Sequence, residues 1–227
     1  MKVLLFCDEL YHPGETVISG VEPLKAKGYD FDVIRDGRDF KPEMLKDYKL
    51  VIMSKCDDIS PEIREGSWKT DEVQQAFINF VDNGGGMLVI HSGTVPGKNT
   101  EKIDKLVGSK FKYHPNNAPV TVAPVKPHPI NEGVEQFCEL DEHYYLEFLA
   151  DDVDVILASY APAQGEVDKY KDDPYHNYPE KVCASGYVRK QNKGRICVLT
   201  PGHHLAVWLN PQFQKIMDNA LKWCAGQ

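Results

Sequence analysis

Histidines and carboxylates cluster at four places in this 227-residue chain, and three of the four lie where a strand reaches a turn. His91 follows the run Gly84-Gly85-Gly86-Met87-Leu88-Val89-Ile90 and precedes Ser92-Gly93. His203 follows an apolar segment and the turn Pro201-Gly202. Asp141-Glu142-His143-Tyr144-Tyr145 places two acids, an imidazole and two phenols in consecutive positions. Asp8, Glu9 and His12 close the first apolar segment. Such groups can act as general acids and bases near neutral pH. His91, Glu142 and His203 also form a two-histidine, one-carboxylate set able to take a divalent ion such as zinc, provided that the fold brings them together. If residues 141–145 are extended, Glu142 and Tyr144 share one face and Asp141 and His143 the other. Glu142 is then the candidate carboxylate, with Tyr144 positioning substrate hydroxyls.

The elements that must position these residues alternate. Lys2–Cys7, Tyr29–Arg35, Leu50–Ser54 and Met87–Ile90 read as strands, separated by helices over Ile18–Lys27 and from a Thr70 cap to about Asp82. Val73, Ala76, Phe77, Phe80 and Val81 recur at helical spacing. This β-α order predicts parallel strands with helices on both faces, and ligands bind beyond the carboxyl ends of such strands. Thr100–Val107 reads as a further helix, and Val120–Val125, Val153–Tyr160 and Val182–Arg189 as strands of an antiparallel extension. Arg195–Thr200 is a last buried strand and Pro211–Cys224 the closing helix. Ala161–Glu180, rich in Asp, Pro, Tyr and Lys, is the one long loop expected, and a candidate lid. A single domain over 1–227 accommodates all of it.

Composition narrows the function classes. A net charge of −8 with scattered basic residues argues against a nucleic-acid surface. No apolar run reaches the length of a membrane span, and the opening segment is too short for a secretory signal. Six widely spaced cysteines lacking a CxxC pair fit buried thiols in a reducing, cytoplasmic setting.

Five segments, in order, resemble the ThuA-like (trehalose utilisation) family: Lys2–Glu9, Gly84–Gly93, His128-Pro129-Ile130 with Gly133, Asp141–Tyr144, and Gly194–His203 with Trp208-Leu209-Asn210-Pro211. The resemblance implies an α/β sandwich of the flavodoxin-like, class I glutamine amidotransferase-like type. It also implies a sugar or oxidised (3-keto) glycoside as ligand. Glutamine amidotransferase chemistry is not expected. Against the pattern G-x-nucleophile-x-G, His91 stands at the nucleophile position, and Val89 replaces the first glycine with bulk that opposes a tight elbow. Ser92 is one residue off and is assigned to substrate binding together with Asp8, Glu9, His12, Tyr144 and Trp208. His91, Glu142 and His203 are the expected catalytic groups, with or without a metal. His114, before Pro115, is expected on the surface, and His128 gains weight from the resemblance with a purely structural role as the alternative. The alternative is a non-catalytic sugar-binding or regulatory module, and self-association as a homo-oligomer fits the fold.

Overall fold

A computed structural model describes residues 1–162 and 181–227. The loop expected over Ala161–Glu180 therefore lies, beyond Pro162, outside the described residues. Five parallel strands form one half of a nine-stranded sheet: β1 (Lys2–Phe6), β2 (Asp30–Ile34), β3 (Leu50–Met53), β4 (Gly86–Ile90) and β11 (Gly194–Leu199). The antiparallel half contains β6 (Ala118–Pro124), β7 (Phe137–Asp141), β9 (Asp154–Ala161) and β10 (Lys181–Gln191). The spatial order is β2-β1-β3-β4-β11-β10-β9-β6-β7. A second, two-stranded sheet pairs β5 (Ser109–Tyr113) with β8 (Tyr145–Phe148). The α/β class and the antiparallel extension are as the sequence implied.

Alternation along the central strands divides two apolar cores between the faces. Val3 and Leu5, Leu88 and Ile90, and Cys197 and Leu199 pack against helices α1 (Gly14–Val21), α4 (Leu205–Leu209) and α5 (Pro211–Cys224). Leu4 and Phe6, Met87 and Val89, and Ile196 and Val198 meet α2 (Asp71–Asp82) and α3 (Glu101–Val107). Burial on both faces is why these strands read as continuous apolar runs. The Thr70 side chain accepts the Val73 N–H at 3.3 Å and starts α2 as expected. Val73, Phe77 and Val81 form the buried stripe of that helix.

Local departures from the sequence reading have local causes. The helix expected over Ile18–Lys27 starts at Gly14, where the Asp8 carboxylate accepts the N–H, and becomes a 3₁₀ turn over Glu22–Lys27 around Pro23. β5, β7 and β8 escaped the sequence reading, as did α4. They are short and half exposed, with little apolar alternation. Trp68 sits in the core, stacked on Phe6 at 5.2 Å with its indole N–H on the Cys56 carbonyl.

The turn after β4 adopts the elbow that Val89 seemed to oppose. His91 is left-handed at φ 48°, and a 3₁₀ turn over His91–Thr94 follows. Gly93 makes the turn fit, because a Cβ there would stand 2.1 Å from the Met53 carbonyl oxygen and 2.9 Å from Val89 Cγ1. Backbone cannot yield as a flexible side chain can. Gly93→Ala is expected to cost about 1–3 kcal/mol of stability, read by urea denaturation. An unchanged midpoint would show that β3 moves aside freely.

Candidate metal centre

Four side chains converge beyond the carboxyl ends of β1, β4 and β11. His12 lies on the turn after β1, a tight loop closed by reciprocal main-chain bonds between Glu9 and His12. His91 occupies the left-handed elbow after β4. His203 follows Gly202 beyond β11. Glu142 comes from the far edge of the sheet, immediately after β7, and is brought back by its neighbour. The buried Asp141 carboxylate accepts the main-chain N–H groups of Gly202 at 3.0 Å and His203 at 2.9 Å. Asp141 thereby ties the chain that presents Glu142 to the chain that presents His203.

The distances define a centre. Glu142 Oε2 lies 3.3 Å from His91 Nε2, 3.2 Å from His203 Nδ1 and 3.8 Å from His12 Nε2. All four candidate ligand atoms lie within 4.8 Å of one another. Yet none of the three imidazole nitrogens has a hydrogen-bond partner of acceptable geometry, although each is buried. Unpartnered buried polar atoms are rare and require an explanation. Ligands 2.0–2.2 Å from a zinc ion in tetrahedral array stand about 3.3–3.6 Å apart. The separations to Glu142 bracket that value, so the residues present fit a divalent ion.

The outward nitrogens set the tautomers. His91 Nδ1–H donates to the Thr200 carbonyl at 2.7 Å, which leaves the Nε2 lone pair facing Glu142. His12 Nδ1 meets the Glu9 carboxylate, whose other oxygen accepts the Tyr11 main-chain N–H at 2.9 Å. A carboxylate or carbonyl behind a ligating imidazole is the arrangement that orients such ligands and raises their basicity.

Electrostatics distinguish His91, His12 and Glu142. Burial pushes His91 down to about 4, against the pull of Glu142, so it is neutral at pH 7. Burial acts the same way on His12, but the carboxylates of Glu142 and Glu9 outweigh it and raise His12 to about 9. Burial would raise Glu142, yet His12, His203 and His91 together hold it well below the usual carboxylate range. Without a metal, the centre is an anion among imidazoles.

The centre opens into a cleft of about 1210 Å³, lined by Glu9, Tyr11, His12, Glu142, Tyr144 and His203 among others. Phe111 and His114 form part of its wall, and Arg64 and Lys98 part of its rim. Tyr144 is buried and stacks on His91 with ring centroids 4.0 Å apart. His114, expected on the surface, instead reaches the other oxygen of Glu142, Nε2 to Oε1 at 3.4 Å. It gets there because β5, which precedes it, pairs with β8. Phe111, Arg64 and Lys98 were not singled out for this site from the sequence, and nothing in their spacing marks them.

The expected site residues thus separate. His91, Glu142 and His203 come together, as do Glu9, His12 and Tyr144 around them. Asp8, Ser92 and Trp208 lie outside the cleft lining. The Asp8 carboxylate caps α1 through the Gly14 N–H at 2.7 Å. Ser92 is fully buried. The Trp208 indole N–H donates to the Gly202 carbonyl at 2.7 Å, so it packs beneath the His203 turn. His128, whose role the sequence left open, accepts the Ile130 N–H at the start of a 3₁₀ turn.

Comparisons agree with the fold. Residues 2–224 match the family model ThuA, described as trehalose utilisation. A ThuA-like protein of Bacteroides uniformis superposes with a TM-score of 0.70 at 20% identity, covering 99% of this chain and 91% of that one. A ThuA-like protein of Parabacteroides merdae gives 0.74 at 16% identity, with 99% and 90% covered. A protein of Salmonella typhimurium, labelled cytoplasmic, gives 0.62 at 15% identity over 99% of both chains. No curated protein matches in sequence. Among the described residues, no helix is long and apolar enough to cross a membrane. With the family model spanning nearly its whole length, the chain belongs to the ThuA family.

Proposed function

We propose that the cleft is the active site of a metal-assisted enzyme acting on a sugar or an oxidised glycoside. The observation that supports this most directly is the convergence of three buried, unpartnered imidazole nitrogens on one carboxylate oxygen. His12, His91, Glu142 and His203 would hold the ion. When bound, a divalent cation polarises a carbonyl oxygen and makes a coordinated water more acidic.

The chain's own residues supply the rest. Glu9 and the Thr200 carbonyl fix the imidazoles of His12 and His91. Tyr144 and Phe111, 4.3 Å apart by ring centroid, give an aromatic wall suited to the C–H face of a sugar ring. His114 Nε2 borders the cleft beside Glu142 Oε1, where it can accept a proton from carbon adjacent to a sugar ketone. The resulting enolate would collapse by breaking the glycosidic C–O bond, the departing oxygen taking a proton from water, to leave an unsaturated ketone without a covalent enzyme intermediate. No cysteine lines the elbow position, and His91 there supports the reading that this is not a glutamine amidotransferase.

The test is metal content of protein purified without a chelating tag, then reloaded with zinc. One equivalent of zinc is expected, and its loss in both His91→Ala and His203→Ala. Loaded protein is then incubated with a 3-keto-glucoside and the products are followed by NMR. No zinc uptake by the natural chain would overturn the metal centre. Zinc uptake with ketoglycoside binding but no turnover would identify a sugar-binding module instead.

A further inference from the structure

The turn that carries Glu9 and His12 is held from below by a buried cation. Lys55, just past β3, is fully buried, which is unusual for a lysine. Its ammonium donates to the main-chain carbonyl of Asp8. Asp8 is one of three non-glycine residues with positive φ among the described residues, at 78°. Aspartate enters that region more readily than most L-residues, and the Asp8 carbonyl is fixed there by the Lys55 ammonium. The Asp8 side chain is committed elsewhere, to the Gly14 N–H at 2.7 Å and to Arg35 at 3.6 Å. Lys55 is itself anchored twice. The Ser54 N–H donates to the Phe6 carbonyl at 2.9 Å, which continues the β1–β3 pairing, and Lys69 Nζ donates to the Lys55 carbonyl at 3.1 Å. Lys69 is buried as well.

These contacts make a chain of supports. Lys69 fixes the Lys55 backbone, and Lys55 fixes the carbonyl of the left-handed Asp8. The next residue, Glu9, opens the closed turn that ends at His12. A water-exposed hydroxyl or amide could satisfy that carbonyl at less cost than a buried ammonium, since removing an ammonium from water costs several kcal/mol. A rigid donor anchored in the sheet supplies what solvent cannot, a fixed origin for the turn. A ligand misplaced by even about 1 Å loses much of its effect.

We infer that Lys55 is the positioning residue of the His12 arm of the centre, setting where His12 Nε2 stands through the Asp8 carbonyl. The role rests on the metal-centre reading above. Lys55 lies outside the cleft lining.

The test compares cobalt(II) binding by the natural chain, Lys55→Met and His12→Ala, each checked for fold by near-ultraviolet circular dichroism. Lys55→Met is expected to bind cobalt about 10–100-fold more weakly, the range seen when outer partners of metal ligands are lost. Its visible absorption should approach that of His12→Ala, a signature that a loss of stability alone would not produce. Natural affinity and spectrum in folded Lys55→Met would overturn the role. Should Lys55→Met fail to fold, the Lys55 Nζ resonance of the ¹⁵N-labelled natural chain decides. It should shift on saturation with zinc, and an unmoved resonance overturns the coupling to His12. A natural chain that takes up neither ion removes the metal centre and this role together.

Discussion

Glu142→Gln protein should fold and retain its cleft, yet bind zinc at least about 100-fold more weakly than the natural chain, a loss near 2.7 kcal/mol. The reason is charge as well as geometry. Glu142 is the one carboxylate in the four-residue centre, and its Oε2 lies 3.2–3.8 Å from each of three imidazole nitrogens. Glutamine keeps the shape but offers a neutral oxygen and an N–H donor. That donor can turn toward His91 Nε2, which is neutral and has its lone pair inward. The variant therefore satisfies the imidazole that the natural chain leaves without a hydrogen bond. Thermal stabilisation by zinc reads the same quantity, because a ligand at 100 times its Kd stabilises by about 2.7 kcal/mol. That gain should vanish in Glu142→Gln, and should shrink by only about tenfold in affinity for Glu9→Gln, which acts through His12. Zinc affinity within about threefold of natural in Glu142→Gln would show that the carboxylate is not a ligand.

The sequence exposed three residues that simple rules could find. His91 and His203 each stand where an apolar strand gives out, so the crevice beyond the carboxyl ends of parallel strands gathers them, while the Asp-Glu-His-Tyr run stood out by its residue types alone. His12 met the same rule, yet read as a sugar contact beside its acids. Its part in the centre depends on β1, β3, β4 and β11 being successive neighbours, and strand order is not local information. The spacing Glu9-x-x-His12 was the available signal, since a three-residue separation in a tight turn brings the carboxylate onto the ring. His114 was harder. Only the pairing of β5 with β8 lifts it from surface to cleft, and the strand Ser-Lys-Phe-Lys-Tyr is too polar to announce itself. Trp208 illustrates the opposite error. An aromatic near a site suggests stacking, but one indole N–H on the Gly202 carbonyl makes it a support for the His203 turn. Val89 was read as forbidding the elbow, yet glycine at position 93 leaves it room. Residue types thus pointed to the proposed chemistry, and packing decided which of them reach the cleft.

Asp141→Ala tests whether the two halves of the site are joined as the hydrogen bonds indicate. Asp141 is 2% exposed, and burial pushes its carboxyl up to about 6 although the N–H groups of Gly202 and His203 hold it down. At pH 7 it is therefore ionised and accepts both donors. Alanine would strand two buried N–H groups whose desolvation goes uncompensated, and about 3–5 kcal/mol of stability should be lost. Asp141→Asn retains one acceptor oxygen, removes the buried charge and should recover about half of that loss. Stability alone would describe any buried acid. The distinguishing readout is zinc affinity at a temperature where both variants are folded. With Gly202 released, His203 Nδ1 no longer stands beside Glu142 Oε2, so Asp141→Ala should weaken zinc binding by about tenfold or more. Asp141→Asn should fall between it and the natural chain. If both variants bind zinc as the natural chain does while losing stability, the His203 turn holds its place by packing on Trp208, and Asp141 serves the fold alone.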